Sequence, residues 1–370
     1  MNPAMKRAIL IVMDGCGAGE APDADAFGDH DHPATIRHVW EATGGFFAPN
    51  LREIGFLAAC RAPGGEAGVA GDVSWGRMRE LSQGKDSVTG HWELMGVITE
   101  SPFPTYLEGF PDELVKAFEE KIGRPILGNK PASGTAIIEE LGLEHVKTGH
   151  PIVYTSADSV FQIAAHEQVV PLEQLYEWCR IARELCVAPN NVQRVIARPF
   201  VGDSKKGFTR TEHRKDYPLP APPNLVDQIG DVYGIGVVPE LFGGRGFRPT
   251  VRTQNNAQHA EALREALKSD ARFIFANFED FDMLYGHRND PIGFAKALES
   301  FDELLGLLRR QLSKEDLLIL AADHGNDPTT ASTDHSREYV PICTNQPGGA
   351  IGDLEGMNQV AQLIAQHLSL

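Results

Sequence analysis

The 370-residue sequence has no apolar run long enough to cross a membrane, because its longest apolar stretches are about six residues, against the ~20 of a span. The basic N-terminal segment Met1–Arg7 precedes one such run, which ends at Asp14. That run is short for a signal peptide and lacks a small-residue cleavage site. We therefore expect a cytoplasmic protein with no membrane partner, and a β-strand at residues 8–13.

Cysteine is scarce, and the five cysteines form no C-x-x-C pair. An odd number without paired spacing argues against a disulfide scaffold and indicates reduced, mostly buried thiols. Cys16 lies two residues after Asp14 and is a candidate for a metal-sensitive thiol, but we expect it to have no role in the chemistry.

Lysine and arginine are also few in comparison with aspartate and glutamate. The chain has 34 Lys and Arg against 51 Asp and Glu, for a formal net charge of −17. This balance argues against nucleic acid as a partner, since such binding depends on Lys and Arg that neutralise phosphates. If this protein handles a phosphate, its cations must be local: bound metal ions and arginines in the middle of the chain.

The most informative motif is A-D-H-G-N-D, with Asp323 and His324 directly after the apolar run 317–322 and His335 eleven residues beyond His324. The run predicts a buried parallel strand, and α/β proteins place their ligand sites at the carboxyl ends of such strands. A carboxylate and two imidazoles at that edge are typical metal ligands. The alternative for this pair alone is a loop histidine and a helix-capping aspartate.

Two more strand ends carry similar residues. Asp14 follows the apolar run 8–13, and Asp282 and His287 follow the apolar run 273–278. Together with Asp323, His324 and His335 they make six N/O ligands, too many for one catalytic zinc. The set suits two divalent ions about 3.5–4 Å apart.

A metal pair of this kind activates a hydroxyl. The candidates are Ser87 and Thr89 in the turn G-K-D-S-V-T-G-H-W. The alternative is that both hydroxyls only cap a helix that begins near His91.

The predicted strands that end in candidate metal ligands lie in the first and last parts of the sequence. The middle of the chain contains none of them. We therefore predict a core domain formed by residues 1–99 and 220–370, with a domain inserted at 100–219. Pro102 and Pro104 mark the point where the chain passes from the core domain into the inserted domain. The proline-rich stretch 217–223 is expected to be a linker. The cleft between the two domains is the expected site.

Alternation of strands and helices predicts a parallel sheet covered on both faces. In the middle segment we expect helices at 111–122 and 171–185 and strands at 152–155 and 192–201. After the linker we expect strands at 231–238, 273–278, 316–322 and 339–343, and helices at 257–268, 291–312 and 354–367.

Several long stretches make the chain similar to the phosphopentomutases of the alkaline phosphatase superfamily: V-M-D-G-C-G-A-G-E-A-P-D-A, G-K-D-S-V-T-G-H-W-E-L-M-G, G-N-K-P-A-S-G-T, P-I-V-Y-T-S-A-D-S-V-F-Q-I-A-A-H-E, R-V-I-A-R-P-F-V-G, D-F-D-M-L-Y-G-H-R-N-D-P and A-D-H-G-N-D-P-T-T-A-S-T-D-H-S-R-E-Y-V-P. The resemblance implies an α/β fold with an alkaline phosphatase-like core, a mostly parallel sheet with helices on both faces, and an inserted α+β cap. It also implies a pair of Mn²⁺ or similar ions, a sugar bisphosphate as activator, and a small sugar phosphate as substrate.

The family's functional positions carry over residue by residue. The metal ligands fall on the six residues already selected and on the nucleophile Ser87, where the family usually has threonine. The family's substrate contacts fall on six positions of the inserted domain: Ser156, Asp158, Val160, Arg194, Ile196 and Arg210.

The implied activity is interconversion of (deoxy)ribose 1-phosphate and 5-phosphate through a phosphoserine enzyme and a bisphosphate. The chain departs from the family pattern at Val237, where a lysine is usual, in the loop Gln254-Asn255-Asn256, at Gly15 and in its C-terminal tail. These departures leave the preferred sugar open. The alternatives are a phosphatase or mutase of the same superfamily that acts on another sugar phosphate, and a catalytically idle binding protein.

Overall fold

The computed structural model describes residues 6–156 and 158–370, so most of the N-terminal segment that was considered as a possible leader lies outside the described residues. The chain divides into two compact units. The first unit comprises Met1–Pro102 and Ala221–Leu370, and the second unit comprises Phe103–Pro220. Across the described ranges, no helix combines the length and the apolar composition needed to cross a bilayer.

The strands, in chain order, are β1 (Arg7–Met13), β2 (Ser74–Arg79), β3 (Leu127–Pro131), β4 (Ile152–Thr155), β5 (Val160–His166), β6 (Arg194–Asp203), β7 (Gly207–Arg210), β8 (Lys215–Pro218), β9 (Tyr233–Ile235), β10 (Phe273–Phe278), β11 (Asp316–Ala321), β12 (Val340–Thr344) and β13 (Gly349–Glu355).

The α-helices are α1 (Thr35–Thr43), α2 (Pro49–Glu53), α3 (Phe56–Ala59), α4 (Ser87–Leu94), α5 (Asp112–Ile122), α6 (Gly134–Thr148), α7 (Leu172–Leu185), α8 (Leu225–Ile229), α9 (Val238–Leu241), α10 (Asn256–Lys268), α11 (Pro291–Arg309) and α12 (Gln359–Leu368). Single tight helical turns cover Ala24–Phe27, Phe281–Tyr285 and Gly286–Arg288.

The first unit contains a seven-stranded sheet in the order β13-β2-β12-β11-β1-β10-β9. Most pairs of adjacent strands in this sheet are parallel, but β12 is antiparallel to both β11 and β2. The mostly parallel sheet expected from the sequence is confirmed, and β12 is its antiparallel strand. No helix lies between β11 and β12, and a parallel return would need a crossover connection, usually helical.

The centre of this sheet is apolar on both faces. Every residue of β10 and β11, and every residue of β1 after Arg7, is buried. Continuous burial of this kind is what parallel strands covered by helices on both faces require. The α/β fold class expected from the sequence is confirmed.

The second unit contains a sheet in the order β3-β4-β5-β6-β7, with β8 paired to β6. Side chains alternate between its faces, so that Phe161 of β5 packs with Trp178 of α7 while Tyr154 of β4 packs with Ile137 of α6. A hydrophobic core thus lies on each side of this sheet.

The structure differs from the predicted elements in several places. Helix α6 and strand β5 were not predicted, and the strand predicted at 231–238 is limited to Tyr233–Ile235. The final helix begins at Gln359, because Gly349–Glu355 forms the unexpected strand β13. That strand is glycine-rich and largely exposed, so it lacks an apolar pattern and is held by its backbone pairing with β2. The predicted linker also begins inside β8.

Candidate active site

Three adjacent parallel strands deliver the predicted metal ligands to one edge of the first unit's sheet. β1 lies between β10 and β11, and Met13 is in register with Phe278. Asp14 follows β1 directly, and Asp323 and His324 come just after the end of β11. Because carboxyl ends of parallel strands share an edge, residues more than 300 positions apart become neighbours.

The six side chains form two overlapping groups. In one, Asp282 lies 3.0 Å from His287 (Oδ2 to Nε2) and 3.4 Å from His335 (Oδ1 to Nε2). In the other, His324 Nε2 lies 3.4 Å from Asp14 Oδ1 and 3.3 Å from Asp323 Oδ2. His324 stacks on His335 with ring centroids 3.9 Å apart, which joins the two groups.

Each of the three histidines turns its Nδ1 towards a backbone carbonyl. His287 Nδ1 lies 2.7 Å from Thr333 O, His324 Nδ1 3.1 Å from Gly325 O, and His335 Nδ1 3.0 Å from Lys85 O. A carbonyl only accepts, so the proton belongs on Nδ1 and the lone pair on Nε2. The Nε2 atoms of His287 and His335 are 3.2 Å apart and both face Asp282. Hydrogen bonding to that carboxylate raises the pKa of His287 and, against the effect of burial, raises the pKa of His335 to about 9.

The carboxylates of this cluster have imidazoles as their ion-pair partners, and among the described residues none has a lysine or arginine within 4.0 Å. Asp14, Asp282 and Asp323 are all buried. Burial raises the pKa of Asp14 well above its ordinary value, and the carboxylates of Asp323 and Asp282 raise it further. Asp14 Oδ1 has no hydrogen-bond partner among the described residues. Three carboxylates and three Nε2 lone pairs form a donor set that fits two divalent cations.

Ser87 lies against this cluster, with Oγ 3.1 Å from His324 Nε2. It is the first residue of α4, and Asp86 caps that helix by accepting from the backbone N–H groups of Val88 and Thr89. The helix that the alternative interpretation placed near His91 begins one turn earlier, at Ser87, because Asp86 is its cap.

The second candidate hydroxyl has a different environment. Thr89 is completely buried, and its Oγ1 donates to Asp86 O at 2.9 Å. Thr89 thus acts within the cap of α4, whereas Ser87 Oγ faces the carboxylate–imidazole cluster.

Three neighbouring side chains were not predicted. Asn277 Nδ2 donates to Asp14 Oδ2 and Asn326 Nδ2 donates to Asp282 Oδ1, both at 2.6 Å. His91 Nδ1 lies 3.2 Å from Asp323 Oδ2 and 2.8 Å from Ser87 O. The sequence positions of the two asparagines could have indicated them, since Asn277 lies in the strand before Asp282 and Asn326 lies inside the A-D-H-G-N-D motif.

Replacing Asn277 by Ala is expected to weaken divalent-ion binding at Asp14 by about ten- to a hundred-fold, the usual effect of losing a hydrogen bond to a metal ligand. The measurement is a Mn²⁺ titration of the chelated protein. Asn345→Ala is the control, because that amide pairs with the backbone at the other end of β11. Equal affinities in wild type and Asn277→Ala would contradict the assigned role.

The six predicted substrate contacts lie in the second unit. Val160 and Arg194 are paired in register, and Ile196 is two residues further along β6, so these three share one face of the sheet. Val160 and Ile196 are buried. Ser156 and Asp158 follow β4 and flank a residue outside the described ranges, and Arg210 ends β7.

The cysteines contribute nothing to this geometry. All five are buried and unpaired, including Cys16. Burial raises the pKa of the Cys16 thiol well above its ordinary value, which disfavours the reactive thiolate.

Known proteins of similar sequence or fold identify the family of this chain. A model described as the metalloenzyme superfamily matches residues 223–370. A solved structure of a protein from Pyrococcus horikoshii resembles the fold, with a TM-score of 0.50 and 18% identity over 99% of this chain and 98% of that one.

The sequence relatives are much nearer. The phosphopentomutase of Caldanaerobacter subterraneus subsp. tengcongensis is 49% identical over 98% of this chain and 94% of its own length. That of Dictyoglomus thermophilum is 52% identical over 93% of this chain and 88% of its own length. With half of its residues identical to such proteins over nearly its whole length, the chain belongs to the phosphopentomutase family.

Proposed function

We propose that this chain interconverts (deoxy)ribose 1-phosphate and (deoxy)ribose 5-phosphate. The observation that carries the proposal is the position of Ser87 Oγ, 3.1 Å from His324 Nε2, beside three carboxylates and three imidazoles that suit divalent cations. A hydroxyl in that position, within this family, is the expected carrier of a phosphoryl group.

The ions are proposed to be a pair of Mn²⁺ or similar divalent cations. Asp14, Asp323 and His324 would hold one of them, and Asp282, His287 and His335 the other, with Ser87 as a further ligand. Such ions supply positive charge for the phosphoryl oxygens and lower the pKa of the serine hydroxyl.

Ser87 would begin the cycle as phosphoserine, formed from a sugar bisphosphate that acts as activator. The free hydroxyl of a bound sugar monophosphate attacks that phosphorus while the P–O bond to Ser87 Oγ breaks, and the proton of the attacking hydroxyl ends on Ser87 Oγ. The resulting bisphosphate re-binds by its other end, and Ser87 Oγ takes the second phosphoryl group. The N-terminal turn of α4, which begins at Ser87, favours negative charge there.

The second unit is proposed to bind the sugar phosphate. Arg194 and Arg210 supply guanidinium groups, whose fork matches the geometry of a phosphate. Ser156 offers a hydroxyl donor and Asp158 a carboxylate acceptor for sugar hydroxyls. Val160 and Ile196 are buried, so we expect them to shape the site through packing.

Turnover of ribose 5-phosphate by the Mn²⁺-loaded protein tests the function. Ribose 1-phosphate and inorganic phosphate are measured separately. We expect the sugar 1-phosphate to dominate after priming with a sugar bisphosphate. If every sugar phosphate gives only inorganic phosphate, the protein is a phosphatase on the same scaffold.

Val237 is expected to influence the preferred sugar. It is half-buried and lies just after Gly236, where a Cβ atom would come within 2.7 Å of Glu279 Oε2. A lysine there would add a charged donor, and a charged hydrogen bond is worth about 1.5–3 kcal/mol. Val237→Lys should therefore change the ratio of kcat/KM values between ribose and deoxyribose phosphates about ten- to a hundred-fold.

The control is Val251→Lys, since Val251 is 87% exposed and adds the same charge at the surface. Equal kcat/KM ratios for wild type and both variants across a panel of sugar phosphates would show that this position does not select the sugar.

A further inference from the structure

Arg337 is a buried cation that contacts the loop of residues 80–86, between β2 and α4. Only 1% of the residue is exposed. Its Nη1 donates to Ser82 O at 2.9 Å and to Gly84 O at 2.6 Å. Its Nη2 donates to Glu80 O at 2.7 Å. One guanidinium therefore holds three backbone carbonyls of the 80–86 loop.

Two carboxyl groups and an aromatic ring also contact this guanidinium. Nη1 lies 2.7 Å from Glu80 Oε2, and Nη2 lies 2.9 Å from Asp23 Oδ2. Cζ lies 4.3 Å from the centroid of the Phe27 ring. A planar guanidinium presents five N–H donors in a fixed fork, so it can serve carbonyl and carboxyl oxygens in several directions at once. The contacts of Arg337 therefore fix backbone positions as well as balance charge.

Asp29 links the same two segments a second time. Its Oδ2 accepts from the backbone N–H of Arg337 at 2.7 Å, and its Oδ1 accepts from Lys85 Nζ at 3.0 Å. The carbonyl of Lys85 in turn lies 3.0 Å from Nδ1 of His335, two residues before Arg337. The segment 335–337 is therefore tied to the 80–86 loop by side chains and by backbone.

The 80–86 loop leads directly into the proposed phosphoryl carrier. Ser87 is the first residue of α4, and its Oγ lies 3.1 Å from His324 Nε2. His324 stacks on His335. Contacts that hold the loop against the segment 335–337 thus determine where Oγ lies relative to both imidazoles. Such placement matters because a shift of about 1 Å can cost about a hundred-fold in rate, even when it originates away from the chemistry.

We propose that Arg337 and Asp29 are positioning residues for phosphoryl transfer, and that their contacts with the 80–86 loop fix Ser87 Oγ against the His335 imidazole. The proposal rests on the function above, in which Ser87 carries the phosphoryl group. Both residues act through the loop, so neither needs to touch the sugar phosphate. Their loss is therefore expected to slow phosphoryl transfer and to leave substrate affinity nearly unchanged.

The test uses the full-length, Mn²⁺-loaded protein and two conservative variants. Arg337→Lys keeps a positive charge beside Glu80 and Asp23, but an ammonium has three donors and cannot serve all the oxygens that the guanidinium contacts. Asp29→Asn keeps the size of the side chain. Its amide nitrogen is a donor and would face either Lys85 Nζ or the backbone N–H of Arg337, so one of the two contacts is lost.

The matched control is Arg77→Lys. Arg77 is a buried arginine of the same unit, and it too donates to a carboxylate and to a backbone carbonyl, those of Asp353 and Ala18. These partners lie outside the 80–86 loop, so the variant measures the general effect of replacing a buried arginine. Melting temperatures and bound Mn²⁺ are measured for all proteins before the kinetics.

The rate constant for transfer from phosphoserine to ribose 5-phosphate is measured in a single turnover, after priming with a sugar bisphosphate. Because intact-protein mass spectrometry counts the phosphorylated chains, the rate constant does not depend on how much of the protein is folded. We expect it to fall at least ten-fold in Arg337→Lys and Asp29→Asn, with KM within three-fold of wild type and the same number of bound ions. Arg77→Lys should transfer at the wild-type rate.

Asp29→Asn decides alone if Arg337→Lys does not fold. A transfer rate constant within two-fold of wild type in the folded variants, or an equal loss in Arg77→Lys, would overturn the proposal. So would a rise in KM with an unchanged transfer rate constant, since the residues would then act on binding.

Hydrolysis of the phosphoserine separates this proposal from the proposed function. If the wild-type protein releases only inorganic phosphate from sugar phosphates, the function is wrong, and the positioning role then requires the same ten-fold loss in the rate of phosphoserine hydrolysis. If the wild type isomerises ribose 5-phosphate and both variants transfer normally, the function stands and the positioning role is wrong. If no chain gains a covalent phosphate, both are wrong.

Discussion

Ser87→Ala is expected to reduce turnover of ribose 5-phosphate by at least about a thousand-fold, as removal of a catalytic nucleophile commonly does. The variant should also fail to gain a covalent phosphate from a sugar bisphosphate. The reason is geometric: Ser87 Oγ is the hydroxyl beside His324, at the first position of α4. Ser87→Thr keeps an oxygen on the same atom and should retain activity.

Intact-protein mass spectrometry after treatment with the bisphosphate gives the covalent readout. Thr89→Val is the control, because it removes the hydroxyl that donates to Asp86 O in the helix cap. That change should cost about 1 kcal/mol of stability and leave phosphorylation intact. An active Ser87→Ala together with an inert Thr89→Val would mean that the carrier is Thr89.

Removal of divalent ions is expected to have an effect of similar size. Without cations, three buried carboxylates lie within one cluster, and Asp14 leaves one oxygen without a hydrogen bond among the described residues. Chelation should therefore abolish turnover and lower the melting temperature, and Mn²⁺ should restore both. Asp14→Asn and Asp282→Asn should each lose one of two ions, because these residues belong to different groups of the cluster.

Metal analysis of the purified proteins and anomalous scattering from crystals count the ions. Asp353→Asn is a suitable control, because its partly exposed carboxylate pairs with Arg77 and Arg61 away from the cluster. Full activity with one tightly bound ion per chain would contradict the two-ion assignment.

The sequence by itself determined the fold class, the family and the residue types of the carboxylate–imidazole cluster. Apolar runs end at Asp14, before Asp282 and before Asp323, and a continuous apolar run is a strong local signal for a buried strand. Once such strands are parallel, their carboxyl ends share an edge. The order β11-β1-β10 then brings the predicted ligands together without further information.

Tertiary structure decided the features that depend on hydrogen-bond geometry. The spacing of Ser87 and Thr89 left both hydroxyls open, and the cap formed by Asp86 turns one towards the cluster and the other into the helix start. The tautomers of the three histidines follow from carbonyls of Lys85, Thr333 and Gly325, two of them far away in the chain.

The same holds for the turn at Gly134. No helix was expected there from the sequence, and only the folded sheet brings Arg210 and Tyr154 against this turn. Burial and periodicity are encoded locally and can be inferred from the sequence. A contact that depends on a few tenths of an ångström between distant segments is set by the packing of the whole unit, so the sequence alone does not reveal it.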